Sequence, residues 1–495
     1  MSTLRRLLPA GLALCLVGCQ SYEPAPLVPA DVLPEVEAAR DLRGDRNAAA
    51  ARESGEAPPP ASVAPPDALS FSEAARWMHD LSPALREARA ELAKARALAG
   101  TPTPLTNPEL TVGALLGTHL ADKAASALQP LLEFGFTIPL SGRLSRQDDV
   151  HAARAREAEV RLVVAHRREY LELRRLYAAW VLNHRHERIQ QGLLDSAERS
   201  LELTRRLVQA GGATALDTGL REIEVAEREL EQLEIRARRA RLAQALAERI
   251  GVHTRHVRRP APDSDLRPAL ELPELGRAKE ILVANHPELV VLRARYEVAE
   301  QELRLEIARQ YPDLSLGGSY GGDPGETRKV WGLALGIPLP VFDRNQQSIA
   351  IARGERDRIH ASYEATLSRA LAALEGAYEE HALAVEKRRR IESVILARAR
   401  SNLEVARKAI EAGAFDSLKS LVVEQTLGAA EIAGVGAEEE VARIHAEIER
   451  VLGVPLGQFP GEDAGAFPDV PERIPAPAGA APPASPTTPE EEERP

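Results

Sequence analysis

Gln209-Ala210-Gly211-Gly212-Ala213-Thr214-Ala215-Leu216-Asp217 and Glu411-Ala412-Gly413-Ala414-Phe415-Asp416-Ser417-Leu418 each interrupt a long stretch without proline, residues 141–259 and 341–454. Both stretches are dense in Ala, Leu, Arg and Glu, which favour helices. Glycine at Gly211 or Gly413 can take the left-handed cap that ends one helix, and Thr214 or Asp416 can cap the next. Each stretch therefore predicts a helical hairpin, with helices over about 147–210 and 214–250 in the first and 346–412 and 416–452 in the second. At 1.5 Å per residue the first ascending arm would be about 95 Å long. Along the arms, Tyr170, Leu173, Tyr177, Trp180 and His184, and then Ile359, Tyr363, Leu367, Leu371, Leu374 and Tyr378, recur every three or four residues, the spacing of a coiled-coil-like seam.

The two hairpins are copies of one another. Ala210-Gly211 matches Ala412-Gly413, Leu216 matches Leu418, and Gly251-Val252 matches Gly453-Val454, all at an offset of 202. Upstream, Ile138-Pro139-Leu140 matches Ile337-Pro338-Leu339, and Asn107-Pro108-Glu109-Leu110 matches Tyr311-Pro312-Asp313-Leu314, at slightly different offsets. The chain thus predicts a tandem repeat, each copy reading helix, strand, strand, long helix, shorter helix, with insertions in the connections. The expected boundaries are 71–259 for the first copy, 260–284 for a linker and 285–454 for the second copy.

Length and composition narrow the function classes. Of 495 residues, 63 are Lys or Arg and 74 are Asp or Glu, a net charge of -11, so a nucleic-acid partner is not expected. The only cysteines are Cys15 and Cys19, which leaves no cysteine metal cluster or disulfide framework downstream. Arg5 and Arg6 precede an apolar run from Leu7 to Val17, too short to span a bilayer and typical of a secretory signal. Leu16-Val17-Gly18-Cys19 looks like a lipoprotein box, so residues 1–18 are read as a signal peptide and Cys19 as the acylated first residue. Gln20 follows where an Asp would resemble an inner-membrane retention signal, which points to the outer membrane. Residues 19–70 are rich in Pro and Ala, and 455–495 form a Pro-rich acidic tail, so neither offers a core.

The predicted strands, about 108–118, 130–140, 312–321 and 329–339, carry a membrane signal. Leu132, Phe134, Phe136 and Ile138 alternate with Glu133, Gly135 and Thr137, and Trp331, Leu333, Leu335 and Ile337 alternate with Val330, Gly332, Ala334 and Gly336. A bulky apolar face backed by a small or polar one suits a tilted transmembrane strand with lipid outside and water inside. Phe134, Phe136, Trp331, Leu333 and Leu335 are the expected lipid-facing residues. Four strands cannot close a pore and every edge in lipid must be paired, so several chains must contribute to one barrel.

No nucleophile elbow, HExxH pair, Walker loop or paired-carboxylate constellation occurs, so no enzyme activity, catalytic residue, cofactor or metal site is expected. His184-Arg185-His186 is read as a solvated helix face, and the basic runs at Arg238, Arg239 and Arg241 and from Arg388 to Arg390 as solvated faces and interhelical pairs.

From Phe71 to Val454 the sequence resembles the outer-membrane efflux proteins, the TolC-like channels. The resemblance rests on the two-copy layout, the Pro-bounded strand pairs, and a Leu five residues after each turn glycine, Leu216 after Gly211 and Leu418 after Gly413. It implies a mainly α fold with a small transmembrane β part, in which long helical hairpins of a homotrimer form an α-barrel continuous with a shared twelve-stranded β-barrel. It also implies a periplasmic adaptor (membrane fusion) protein and an inner-membrane pump as partners, with a gate at the hairpin tips around Gly211, Thr214, Asp217, Gly413 and Asp416. Ile337-Pro338-Leu339-Pro340-Val341-Phe342-Asp343-Arg344-Asn345-Gln346 resembles the branch serving cobalt-zinc-cadmium exporters. The competing expectation is a lipid-anchored periplasmic coiled-coil adaptor or structural protein without a pore.

Overall fold

The computed structural model describes residues 27–41, 68–117, 127–261, 272–322, 329–411 and 417–457. The chain divides into an N-terminal unit, residues 1–64, and a second unit, residues 65–495. In the first, helix α1 (Pro29–Arg40) starts with proline in its first turn, where no backbone N–H is needed.

The second unit is built twice over from the same parts. In the first copy, α2 (Phe71–Leu81) and α3 (Pro83–Ala99) lead into β1 (Glu109–Gly117) and β2 (Ala127–Ile138), then α4 (Arg143–Gln209) and α5 (Ala215–Ile250). In the second, α6 (Leu275–Asn285) and α7 (Pro287–Ala308) lead into β3 (Leu314–Gly322) and β4 (Lys329–Gly336). A rod follows, consisting of α8 (Gln346–Arg390), a π-helical turn (Ile391–Leu396) and α9 (Ala397–Glu411), and α10 (Ser417–Leu452) returns along it. Pro83 and Pro287 at the first positions of α3 and α7 break each leading helix pair in the same place.

Three features depart from the sequence reading. Helix α6 takes up the end of the stretch 260–284 read as linker and runs one residue past it; it is the counterpart of α2, hidden by a short length and weak apolar periodicity. Strand β2 begins at Ala127, so Pro130 lies inside it. The proline is tolerated because the ladder to β3 starts only at Leu131, leaving its missing N–H unneeded on that side. The π turn interrupts the second ascending rod without a proline or glycine to announce it.

The seam residues make the core. Tyr170, Leu173, Tyr177 and Trp180 are fully buried, with Phe71 edge-on against both Tyr170 and Tyr177, and Tyr177 Oη donates to Leu69 O at 2.8 Å. His184 does not sit on a solvated face: its half-buried ring packs edge-on on Trp180, and burial lowers its pKa. Arg238 and Arg239 do form interhelical pairs, with Glu439 and Glu187. Arg388 is only 8% exposed.

Each repeat closes on the same glycine. Gly251 ends α5 at φ 86° and Gly453 follows α10 at φ 74°; a Cβ would lie 2.4 Å from Leu81 O in the first and 2.3 Å from Asn285 O in the second. Both collisions are with backbone at the helix-pair breaks, so this junction is duplicated along with the helices. Two buried imidazoles, one in each repeat, carry a further cost. His166, whose Nε2 lies 3.2 Å from His79 Nδ1, is held down to about 4 by burial and by the nearby His79 and Arg89 charges. His445 is held down to about 4 by burial, His381 and Arg174.

Two predictions follow from these contacts. Gly251→Ala or Gly453→Ala loses about 2 kcal/mol or more in denaturant unfolding, because the left-handed backbone and the collision act together, whereas Gly219→Ala, with open space around it in α5, is neutral or stabilising. With folded-state pKa values below the ordinary 6.5, the unfolded chain binds more protons, so stability is full above about pH 6.5 and falls toward pH 4. Between pH 7.5 and pH 5 the loss is about 2 kcal/mol per histidine, measured by thermal unfolding, and His166→Leu with His445→Leu flattens the slope.

Candidate channel surface and hairpin tips

The four strands form one antiparallel sheet in the order β1-β2-β3-β4. Side chains opposite one another in an antiparallel ladder share a face, so register converts sequence alternation into a surface. Three rows cross the sheet: Val112, Leu132, Tyr320 and Trp331; Leu110, Phe134, Gly318 and Leu333; and Phe136, Leu316 and Leu335. The opposite face carries Thr111, Glu133, Ser319 and Gly332, then Glu109, Gly135, Gly317 and Ala334. The two strand pairs, far apart in sequence, therefore present one continuous bulky apolar surface and one mainly small or polar surface, on which Leu131 and Val330 are the bulky apolar residues of a further row with Gly113 and Gly321.

Nothing among the described residues covers the apolar side: Leu333 is 97% exposed and Trp331 79%, with Leu335 and Phe134 exposed as well and Phe136 half-buried. Trp331 stacks at 4.5 Å on Tyr320, whose ring also carries the Lys329 ammonium, so a cation and two aromatics mark the loop end of the sheet. At the helical end, Tyr311, Leu339 and Phe342 are exposed. On the polar side Ser315 Oγ donates to Gly336 O at 2.9 Å, and a Cβ on Gly332 or Gly336 would meet the Ser319 or Ser315 hydroxyl, so the glycines make room for cross-strand hydroxyls. Both outer strands leave one backbone edge unpaired among the described residues. No described helix is long and apolar enough to cross a membrane.

The α4–α5 turn is fixed by the chemistry expected of it. Gly211 sits at φ 75°, its N–H donating to Val208 O at 3.0 Å while Gly212 N–H donates to Leu207 O at 2.8 Å, the paired bonds of a Schellman stop. Thr214 then opens α5: its Oγ1 accepts from Asp217 N–H, and the Asp217 carboxylate accepts from both the Thr214 hydroxyl (2.6 Å) and its N–H (2.8 Å). These two bonds hold the Asp217 carboxyl below its ordinary pKa, charged at the tip. Gly413 and Asp416 of the second tip, like Cys19, lie outside the described residues.

The helices leave two further open faces. Ordered by their closest neighbours they run α5, α4, α10, then the α8–π–α9 rod. On α5, Leu216, Leu220, Ile223 and Leu230 are exposed at spacings of 4, 3 and 7, a seam without a partner among the described residues; Leu383, Val394 and Val405 are exposed on the rod at the other end of the series. This partnerless seam was not read from the sequence, because periodicity shows a stripe but not whether its partner lies in the same chain. Among the described residues no group of three or more His, Cys, Asp or Glu could hold a metal ion.

Comparison with known proteins places this geometry. The chain is 27% identical over 266 residues to the cobalt-zinc-cadmium resistance protein CzcC of Cupriavidus metallidurans, a match covering 54% of this chain and 63% of that protein. It is 27% identical over 207 residues to the outer membrane protein OprJ of Pseudomonas aeruginosa, covering 39% and 41%. The chain thus matches less than two thirds of either relative's length. The crystal structure of a membrane protein from Pseudomonas aeruginosa has the same fold, with a TM-score of 0.62 at 20% identity over 78% of this chain and 90% of that one. The outer membrane efflux protein family matches at residues 79–252 and 280–454, once for each repeat, and the chain belongs to that family.

Proposed function

We propose that this chain is the outer-membrane channel of a tripartite efflux system, a passive homotrimeric conduit that receives substrate from a periplasmic adaptor and an inner-membrane pump. The observation that carries this reading is the single apolar face running across all four strands, with both edges of the sheet unpaired. In hydrocarbon an open edge leaves N–H and C=O groups without partners, so the sheet is stable there only as an arc of a closed barrel. Three copies supply twelve strands, with Phe134, Phe136, Trp331, Leu333 and Leu335 facing lipid and the glycine and serine face lining water. Trp331 and Tyr320 at one end, and Tyr311 and Phe342 at the other, are suited to the two bilayer interfaces.

The helices support the same closure. Joining the α5 stripe of one copy to the α8–π–α9 rod of the next covers both exposed seams and continues the barrel as a helical tube. Helix α4, 67 residues long, spans about 100 Å, enough to carry that tube well into the periplasm. The hairpin tips are then the narrow end, where Gly211 and Gly413 turn the chain and Thr214, Asp217 and Asp416 ring the opening. A charged Asp217 in three copies gives this end a negative field that favours cations. Acylation of Cys19 would anchor the N-terminus in the same membrane. The similarity to CzcC supports heavy-metal cations as the cargo. A lipid-anchored adaptor without a pore would leave the apolar sheet face unexplained.

Three outcomes test this reading. Leu220→Glu with Ile223→Glu converts a detergent-solubilised, SDS-resistant trimer to monomer while circular dichroism keeps the helical signal. Asp217→Ala with Asp416→Ala raises single-channel conductance in planar bilayers; unchanged conductance in a folded trimer removes the gate role. Deleting the gene sensitises cells to divalent metals with little change toward drugs and detergents; the opposite profile would remove the metal assignment.

A further inference from the structure

A cavity of about 770 Å³ lies between α4, the α8–π–α9 rod and α10. Gly192 on its wall is about 28 Å, by helix rise, from the Gly211 turn. It belongs neither to the strand surface nor to the tips, and its lining is mixed. Arg388, only 8% exposed, donates from Nε to Glu392 Oε1 at 2.9 Å, and its Nη2 lies 3.7 Å from Glu438, which Arg185 holds at 2.7 Å. Its Nη1 is buried and has no partner. A buried guanidinium donor without an acceptor is costly, so the position calls for an acceptor oxygen.

The surroundings agree in charge and shape. Arg188 and Arg400 also line the cavity, on exposed positions of α4 and α9, and neither has a hydrogen-bond or ion-pair partner among the described residues. Glu431 is the one lining carboxylate without a partner, since Glu392 and Glu438 answer Arg388 and Arg185 and Glu424 answers Arg199. Four arginines and four glutamates line the cavity, and because Arg199, outside the lining, answers Glu424, one positive charge is left over, carried by Arg188 and Arg400 against Glu431. Leu193, Leu396 and Leu427 supply an apolar floor. That floor is tight, for a Cβ on Gly428 would lie 2.3 Å from Leu193 Cδ2. The π turn contributes Glu392 and Leu396 to the wall, an irregularity of the kind that often accompanies binding sites.

We propose that this cavity binds an amphipathic anion, its carboxylate or phosphate head held by Arg188 and Arg400 beside Arg388 and its apolar body on Leu193, Leu396 and Leu427. Guanidinium forks suit such oxyanions, and the proposal stands whether or not the trimer conducts. The chemistry is shared by a membrane lipid head and a free organic anion.

The test is calorimetric titration of the full-length protein in non-ionic detergent with hexyl phosphate, inorganic phosphate and hexanol. Hexyl phosphate should bind once per chain, at least threefold more tightly than inorganic phosphate and tenfold more tightly than hexanol. Arg188→Gln with Arg400→Gln, both on exposed positions, should weaken hexyl phosphate at least tenfold with thermal unfolding unchanged, and Glu431→Gln should tighten it about threefold. Competition by lysophosphatidic acid assigns the site to a lipid, and failure to compete assigns it to a free anion. The proposal is overturned by absence of saturable binding, by hexanol or inorganic phosphate matching hexyl phosphate, or by indifference to the double arginine variant.

Discussion

Backbone hydrogen bonding in hydrocarbon is the constraint from which the rest of this structure takes its form. A four-stranded sheet whose outward rows are Leu, Phe and Trp cannot be left in water without exposing them, nor left open in lipid without orphaning the edges of β1 and β4. Both problems have one solution, closure with further copies of the same sheet. The helical hairpins inherit that symmetry, since any ring made by the strands must be matched by the helices joined to them, and the exposed stripe on α5 and the apolar side of the α8–π–α9 rod are the surfaces such a ring requires.

The duplication gives one chain two strand pairs and two helical hairpins of the same design. Gly251 and Gly453 pack against the backbone of corresponding helix breaks, at Leu81 and Asn285, so the junction that seats the returning helix on the leading pair was copied intact. The copies then diverged in their interiors. The first buries an aromatic stack of Phe71, Tyr170, Tyr177 and Trp180, whereas the second packs Ala370, Leu374, Ala377 and Ala384 against Val441, Ile444 and Ile448. The Ala-rich face allows closer helix approach, and the π turn belongs to this second copy, with the cavity beside it shared with α4 of the first.

Much of this was legible in the residues because it depends on local patterns. Strand alternation, the glycine stop at Gly211 and the Thr214 cap are short-range chemistry, and the structure places Gly211 and Thr214 in the conformations their residue types favour. Seam periodicity puts Tyr170 to Trp180 in the core and carries His184 with them, as the structure has it; the composition of His184-Arg185-His186 points to a solvated face instead, because polar residue types do not say which of them falls on the buried stripe. Helix α6 was missed because eleven residues with little amphipathic contrast give no periodic signal. Arg388 fits the interhelical pairing expected of its basic run, lying 3.7 Å from Glu438 of α10, but not a solvated face: only tertiary packing, between residues far apart in sequence, reveals that it is buried.

The most direct test of the central claim addresses the open edges of the sheet. Pairs of cysteines, one on β1 between Glu109 and Gly113 and one on β4 between Val330 and Leu335, are introduced into the membrane-embedded protein, oxidised and resolved by mass. Closure predicts, for the pairs in register, a ladder that ends at a covalent trimer and goes no further. Crosslinks confined to single chains, or none for any pair, would contradict it.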